Sequence, residues 1–123
     1  DLADLLERAT RPGGLAGASL QWTSDWAVTL VLASRGYPES SSKGDVISGL
    51  DAVPDGVEVT HAGTAADGDA IVTAGGRVLN VTALGPDPRS ARDAAYAAAD
   101  LITFDGRQLR RDIALRAVER TPQ

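Results

Sequence analysis

The chain has 123 residues, a formal net charge of −5 and no cysteine. That length fits one domain able to bury a core without a covalent staple, and the lack of cysteine excludes disulfides and thiolate metal sites. The acidic balance argues against nonspecific nucleic-acid binding, which needs surplus cations facing phosphates, and no apolar run approaches the ~20 residues that span a bilayer.

The first predicted element is a short amphipathic helix over residues 2–9, with Leu2, Leu5 and Leu6 on one face and Pro12, Gly13 and Gly14 ending it. Residues 18–34 hold strand candidates before and after Asp25, and the apolar run Ala27–Ala33 suits a strand buried on both faces. Trp22 and Trp26 are expected as packing anchors or interdomain contacts. A polar loop from Glu39 to Asp45 carries Lys43, the only lysine, and the state of Val46 to Leu50 is ambiguous.

Three further strand candidates follow: Val57–His61, Ala70–Thr73 and Arg77–Leu84. Asp67-Gly68-Asp69 and Ala74-Gly75-Gly76 between them read as tight turns joining antiparallel strands. Ser90 to Ile102 is the clearest helix. Ser90 is its expected N-cap, Ala91, Ala94, Ala95 and Ala98 share a face, and Leu101 and Ile102 continue it. A last helix is expected from Asp112 through Val118. The fold class is α+β, a small antiparallel sheet of about four strands with the main helix packed on one face.

Few residues offer chemistry. His61 is the only histidine, no nucleophile elbow accompanies it, and a lone strand histidine is more often a structural hydrogen-bond partner. One histidine cannot make a zinc site, and no carboxylate run resembles a calcium loop. Gly75-Gly76-Arg77 offers backbone N–H groups and a guanidinium fork to an anion, although a hairpin turn with an edge arginine explains the same pattern. Lys43-Gly44 does not match a P-loop, so a solvated loop is the plainer reading. Arg110 and Arg111 precede Asp112, and they suit either a phosphate, a neighbouring domain or a surface ion pair to Asp112. The residues alone lead to an α+β domain in which anion binding is one open reading, and no further.

A set of ordered runs then narrows the field. They are Val31–Pro38, Lys43–Leu50, His61–Thr64, Gly75–Gly85 and Arg110–Ile113. In order and spacing these resemble the C-terminal region of phosphoribosylamine–glycine ligases, with residues 1–17 the least specific part. Two departures stand out: Ser41 and Ser42 replace a usual Ser-Tyr pair, and Ala114 and Leu115 replace a usual Gly-Trp after Ile113.

The resemblance implies an ATP-grasp ligase of purine biosynthesis that joins glycine to 5-phosphoribosylamine through a glycyl phosphate. It implies ATP with magnesium or manganese in the full-length enzyme, and none of these held by this chain. The family signature Arg-x-Gly-Asp-Pro-Glu, the nucleotide clamp and the metal ligands are absent from this sequence. No methionine occurs and Asp1 leads the chain, so the expectation is a C-terminal piece, inactive alone. Its partners would be the missing N-terminal and ATP-grasp domains, in a cytoplasmic protein. Residues 1–17 would be the tail of the preceding ATP-grasp domain or a linker, and 18–123 the C-terminal domain. No residue is expected to be catalytic or to bind metal. Gly75, Gly76 and Arg77 are the first substrate-binding candidates and Lys43 the second. Arg110 and Arg111 are candidates for an interdomain or phosphate contact. The alternative is an independent phosphate- or nucleotide-binding module without catalysis. An apolar patch around Leu5, Leu6 and Trp22 is expected to lie exposed.

Overall fold

A computed structural model describes residues 1–120. Its elements in chain order are α1 (Leu2–Ala9), β1 (Trp26–Ala33), β2 (Val57–His61), β3 (Thr64–Asp67), β4 (Ala70–Thr73), β5 (Arg77–Gly85), α2 (Pro88–Leu101) and α3 (Leu115–Arg120), with a 3₁₀ turn at Leu50–Ala52. The class is α+β as expected. The strands make two sheets instead of one, a three-stranded sheet in the order β1-β5-β2 and a β3–β4 hairpin. The expected hairpin at Ala74–Gly76 is therefore not one. β4 pairs with β3, while β5 pairs with β1 and β2, so the glycine pair links the two sheets. The turn at Asp67–Asp69 is a true hairpin turn, with Asp67 opposite Ala70 and Gly68 at φ 57°. β3 gave no sequence signal because Thr-Ala-Ala-Asp has a single β-branched residue and no apolar–polar alternation.

β5 is the central strand, and the core forms where it meets β1 and α2. Val28, Leu30 and Leu32 of β1 and Leu79, Val81 and Ala83 of β5 are buried, as period-two alternation requires. The alternation breaks once. A bulge between Leu32 and Ala33 shifts the register, pairing Leu32 with Leu79 but Ala33 with Arg77. Val78 and Leu79 are thereby both fully buried, and Arg77 remains exposed.

α2 presents Ala91, Ala95, Ala98 and Ala99 to this sheet. Small side chains let the helix come close: a Cβ on Gly85 would lie 2.5 Å from the Ala91 nitrogen. Ile102 is buried beyond the helix end, but Leu101 is 43% exposed and does not continue the core face. Asp87, not Ser90, is the N-cap. Its carboxylate accepts the Ser90 N–H at 2.8 Å and the Ser90 hydroxyl at 2.7 Å, and those bonds hold its pKa below the usual carboxylate value. Pro88 at the first helical position is the sequence signal that marks this start. At the other end Arg107 donates to the carbonyls of Ala99 and Ile102, the latter at 2.6 Å, placing a cation at the negative end of the helix dipole.

Residues 18–25 form no strand; β1 starts at Trp26. Trp22 is 83% exposed and Trp26 45%, so neither anchors the core. The ambiguous stretch after Asp45 is a bridging segment, with Val46 paired to Val72, Ser48 paired to Thr103 and Ile47 buried between them.

The last helix begins at Leu115, later than expected, and Asp112 accepts its N–H through the backbone carbonyl. Ala114 precedes it at φ 60°, the only non-glycine residue at positive φ among those described. The left-handed region costs an L-residue about 1–2 kcal/mol, partly offset on replacement by glycine's larger unfolded-state entropy. Ala114→Gly should therefore stabilise the chain by about 0.5–1 kcal/mol, visible as a higher urea midpoint at unchanged slope. An unchanged or lower midpoint would show that the strain is not there.

Candidate functional site

The face of the three-stranded sheet opposite α2 carries the residues that alternate with the core, among them Thr29, Val31 and Asn80. Two concavities open there. One of about 500 Å³ lies between Val31, Tyr37, Pro38, Arg77, Leu109 and Arg110. The other, of about 660 Å³, is lined by Val31, Tyr37, Ala62, Gly63, Gly76, Arg77 and Asn80. Arg77 and the Tyr37 ring border both.

The glycines here have a packing reason. A Cβ on Gly76 would lie 2.6 Å from Tyr37 Cδ2, so glycine lets the phenol ring lie against the backbone. A Cβ on Gly63 would stand 2.8 Å from Gly75 Cα and 2.6 Å from the Arg77 carbonyl oxygen, where the links before β3 and β5 cross. The Gly63 N–H donates to the Arg77 carbonyl at 2.8 Å, and the Gly63 carbonyl accepts from Ala74 N–H at 2.7 Å. Gly76 offers its carbonyl to Ser34 N–H at 2.9 Å. Among the described residues, however, the N–H groups of Gly75 and Gly76 find no acceptor, and the Arg77 side chain has no ion pair or hydrogen bond. Gly76 and Arg77 border the open concavity and Gly75 lines neither one; a free backbone donor and an unpaired guanidinium so placed can take a carboxylate or a phosphate.

Arg110 reaches the first concavity by another route. Tyr96 of α2 donates its hydroxyl to the Arg110 carbonyl at 2.8 Å and accepts from Ile113 N–H at 3.2 Å. Arg92 donates to the carbonyls of Ile113 and Arg111 at 3.0 and 2.7 Å, with its guanidinium 4.5 Å over the Tyr96 ring. The Arg110–Ile113 run is thus latched to α2. The Arg110 side chain is clasped by both oxygens of Asp112, at 3.0 and 2.6 Å. That pairing raises the Arg110 pKa and lowers that of Asp112. Arg111 lies outside the site. It pairs with Asp100 at 2.8 Å, a hydrogen bond that is the main cause of the lowered Asp100 pKa.

Lys43 lines neither concavity. Its neighbours explain its run instead: Asp45 accepts from Ser42 at 2.6 Å and from the buried Thr73 at 3.1 Å, tying the loop to β4. Ser42, one of the two departures from the resembled pattern, is therefore part of a closed hydrogen-bond set. His61 shares a 2.9 Å hydrogen bond with Thr64, the structural role a lone histidine suggests. Among the described residues no group of three His, Cys, Asp or Glu side chains could hold a metal ion. The described residues do not fit a magnesium–nucleotide site. The Arg110–Asp112 pair is one of the readings the sequence offered, whereas the Tyr96 latch and the Tyr37 wall gave no sequence signal, because each joins residues well separated in the chain.

Comparisons with known proteins complete the picture. The model of the phosphoribosylglycinamide synthetase C domain matches residues 27–116. The chain is 48% identical over 98% of its length to the phosphoribosylamine–glycine ligase of Neisseria meningitidis serogroup A, covering 28% of that protein. It is 50% identical to the Streptomyces coelicolor ligase over 94% of its length, and 46% identical to the chloroplastic Arabidopsis thaliana ligase over 96%, covering 29% and 23% of them. The crystal structure of the Thermotoga maritima phosphoribosylamine–glycine ligase superposes with a TM-score of 0.69 at 35% identity, over 81% of this chain and 25% of that one. The chain spans less than a third of these relatives, and over residues 27–116 it belongs to the phosphoribosylglycinamide synthetase C-domain family.

Proposed function

We propose that this chain works as the C-terminal part of a phosphoribosylamine–glycine ligase, joining glycine to 5-phosphoribosylamine at the expense of ATP. The observation that carries the reading is the 48% identity over 98% of the chain to a protein of that name. In this reading ATP and its magnesium or manganese are held by the rest of the protein, in the cytoplasm. The sheet face with Arg77 forms one wall of the cleft. Residues 1–17 belong to the junction with the preceding domain, and 18–123 form the C-terminal domain.

Arg77, with the N–H groups of Gly75 and Gly76, receives the anionic end of a substrate, a carboxylate or a phosphate. Arg110 also lines the first concavity and contributes less, since Asp112 already neutralises it. The role of the domain is enclosure and orientation, because phosphoryl transfer itself needs metal and phosphate clamps to neutralise developing charge.

The test compares the full-length protein with the 123-residue chain in the presence of ATP, magnesium, glycine and 5-phosphoribosylamine. The full-length protein is expected to release phosphate and form glycinamide ribonucleotide, and the chain alone neither. Turnover by the chain alone overturns the reading. Tight calorimetric binding of glycinamide ribonucleotide by the isolated chain would favour an independent binding module instead.

A further inference from the structure

The first twenty residues form a hook that leaves its own apolar side uncovered. α1 is capped by Asp1, whose carboxylate accepts Ala3 N–H at 2.8 Å. The chain then folds back along it. Arg8 donates to the Gly14 carbonyl at 3.0 Å, and Thr10 to that of Glu7 at 2.7 Å. Gly14 sits so close that a Cβ would lie 1.9 Å from the Arg8 carbonyl oxygen. This return brings Leu15 and Leu20 beside Leu2, Leu5 and Leu6, around a shallow hollow of about 360 Å³.

No residue of the core cluster lines the hollow. No residue of α1 is buried, and Leu2, Leu6, Leu15 and Leu20 are between 51% and 69% exposed. Among the described residues the core cluster and everything packed against it begin at Val28. An eight-residue helix is marginal in water without a packed face. A ring of leucines this exposed marks a contact surface, and the polar side of the hook, with Asp4, Glu7, Arg8 and Arg11, is fit for solvent.

We propose that this leucine hollow is the docking surface for the portion of the ligase that the chain does not contain, seating an apolar segment of that portion. The inference rests on the reading above. Its occupant is argued from the comparisons: the N. meningitidis relative aligns over 98% of the chain and so includes the hook, yet 28% coverage leaves most of that protein's length to pack against it. The family model starts at residue 27, and the hook falls outside it. The hook is thus an element shared with the neighbouring domain more than with the sheet.

Hydrogen exchange read by mass spectrometry tests this on the full-length protein and on the 123-residue chain. Peptides covering residues 1–20 should exchange at least about tenfold more slowly in the full-length protein, since covered helices open far less often than exposed ones. The pair Leu2→Asp and Leu6→Asp should return that segment to fast exchange in the full-length protein. It should leave the β1 and β5 peptides of the isolated chain unchanged, because neither leucine touches the core. Equal, fast exchange in both proteins overturns the proposal. Protection in the isolated chain that rises with concentration also overturns it, since the occupant would then be a second copy. Activity of the full-length wild type is measured in parallel. If it makes glycinamide ribonucleotide while the hook stays unprotected, the docking proposal falls and the ligase reading stands. If it makes none, the ligase reading falls on its own.

Discussion

Arg77→Ala in the full-length protein should lower kcat/KM by about 10- to 100-fold, since hydrogen bonds to a charged partner contribute about 1.5–3 kcal/mol. The expected loss sits largely in KM for the substrate whose anionic end Arg77 holds, with the other substrates little affected. Arg77→Lys should recover only part of it, because an ammonium cannot supply two parallel donors. Arg110→Ala should cost less, since that guanidinium is already clasped by Asp112. Arg111→Ala should leave kinetics unchanged and act only through its pairing with Asp100. Steady-state kinetics with each substrate varied in turn separates these cases. Wild-type parameters for Arg77→Ala would remove the guanidinium from the site.

The largest stability effect is expected at Gly49. Its φ is 87°, and a Cβ there would lie 2.0 Å from the Leu101 carbonyl oxygen. The obstacle is backbone at the end of α2, held in place by the reciprocal 2.9 Å hydrogen bonds between Ser48 and Thr103. No side chain can swing away. Gly49→Ala combines left-handed strain with overpacking, so a loss of about 2–5 kcal/mol is expected, a large share of a small domain's stability. Gly56→Ala is the matched control. Its φ is 86° and nothing lies within 4 Å of the added carbon, so it should show the conformational cost alone, about 1–2 kcal/mol. Urea unfolding of both variants gives the difference. Equal losses would mean that the α2 terminus yields freely at Leu101.

The sequence revealed those parts of the fold whose signal is local. The alternation at Val57–His61 and Arg77–Leu84 and the alanine face before Ile102 placed β2, β5 and α2 close to where they lie. Pairing partners were not legible, because nothing local in Ala74-Gly75-Gly76 distinguishes a hairpin from a link between sheets. The helix start was misplaced by three residues because Ser90 competes with Asp87 as a cap, and the decisive clue was the proline between them. The site was half legible. Gly76 and Arg77 stand together at the concavities, and the reason Gly76 is glycine is the ring of Tyr37, thirty-nine positions earlier. Lys43 drew notice as the lone lysine, but the structural role in that loop belongs to Asp45. Of the two roles expected for the tryptophans, the core anchor is ruled out by their exposure, because aromatic bulk signals burial without saying against which partner.

The bulge beside Ala33 also guards the strand against mispairing. A straight ladder would set Val78 opposite Ala33, turning the valine to water and driving the Arg77 guanidinium under α2, where no described acid waits for it. An unpaired cation in that layer is far costlier than a kink in one strand. Sliding β5 along β1 by one residue is therefore opposed by the very side chain whose open placement the site requires.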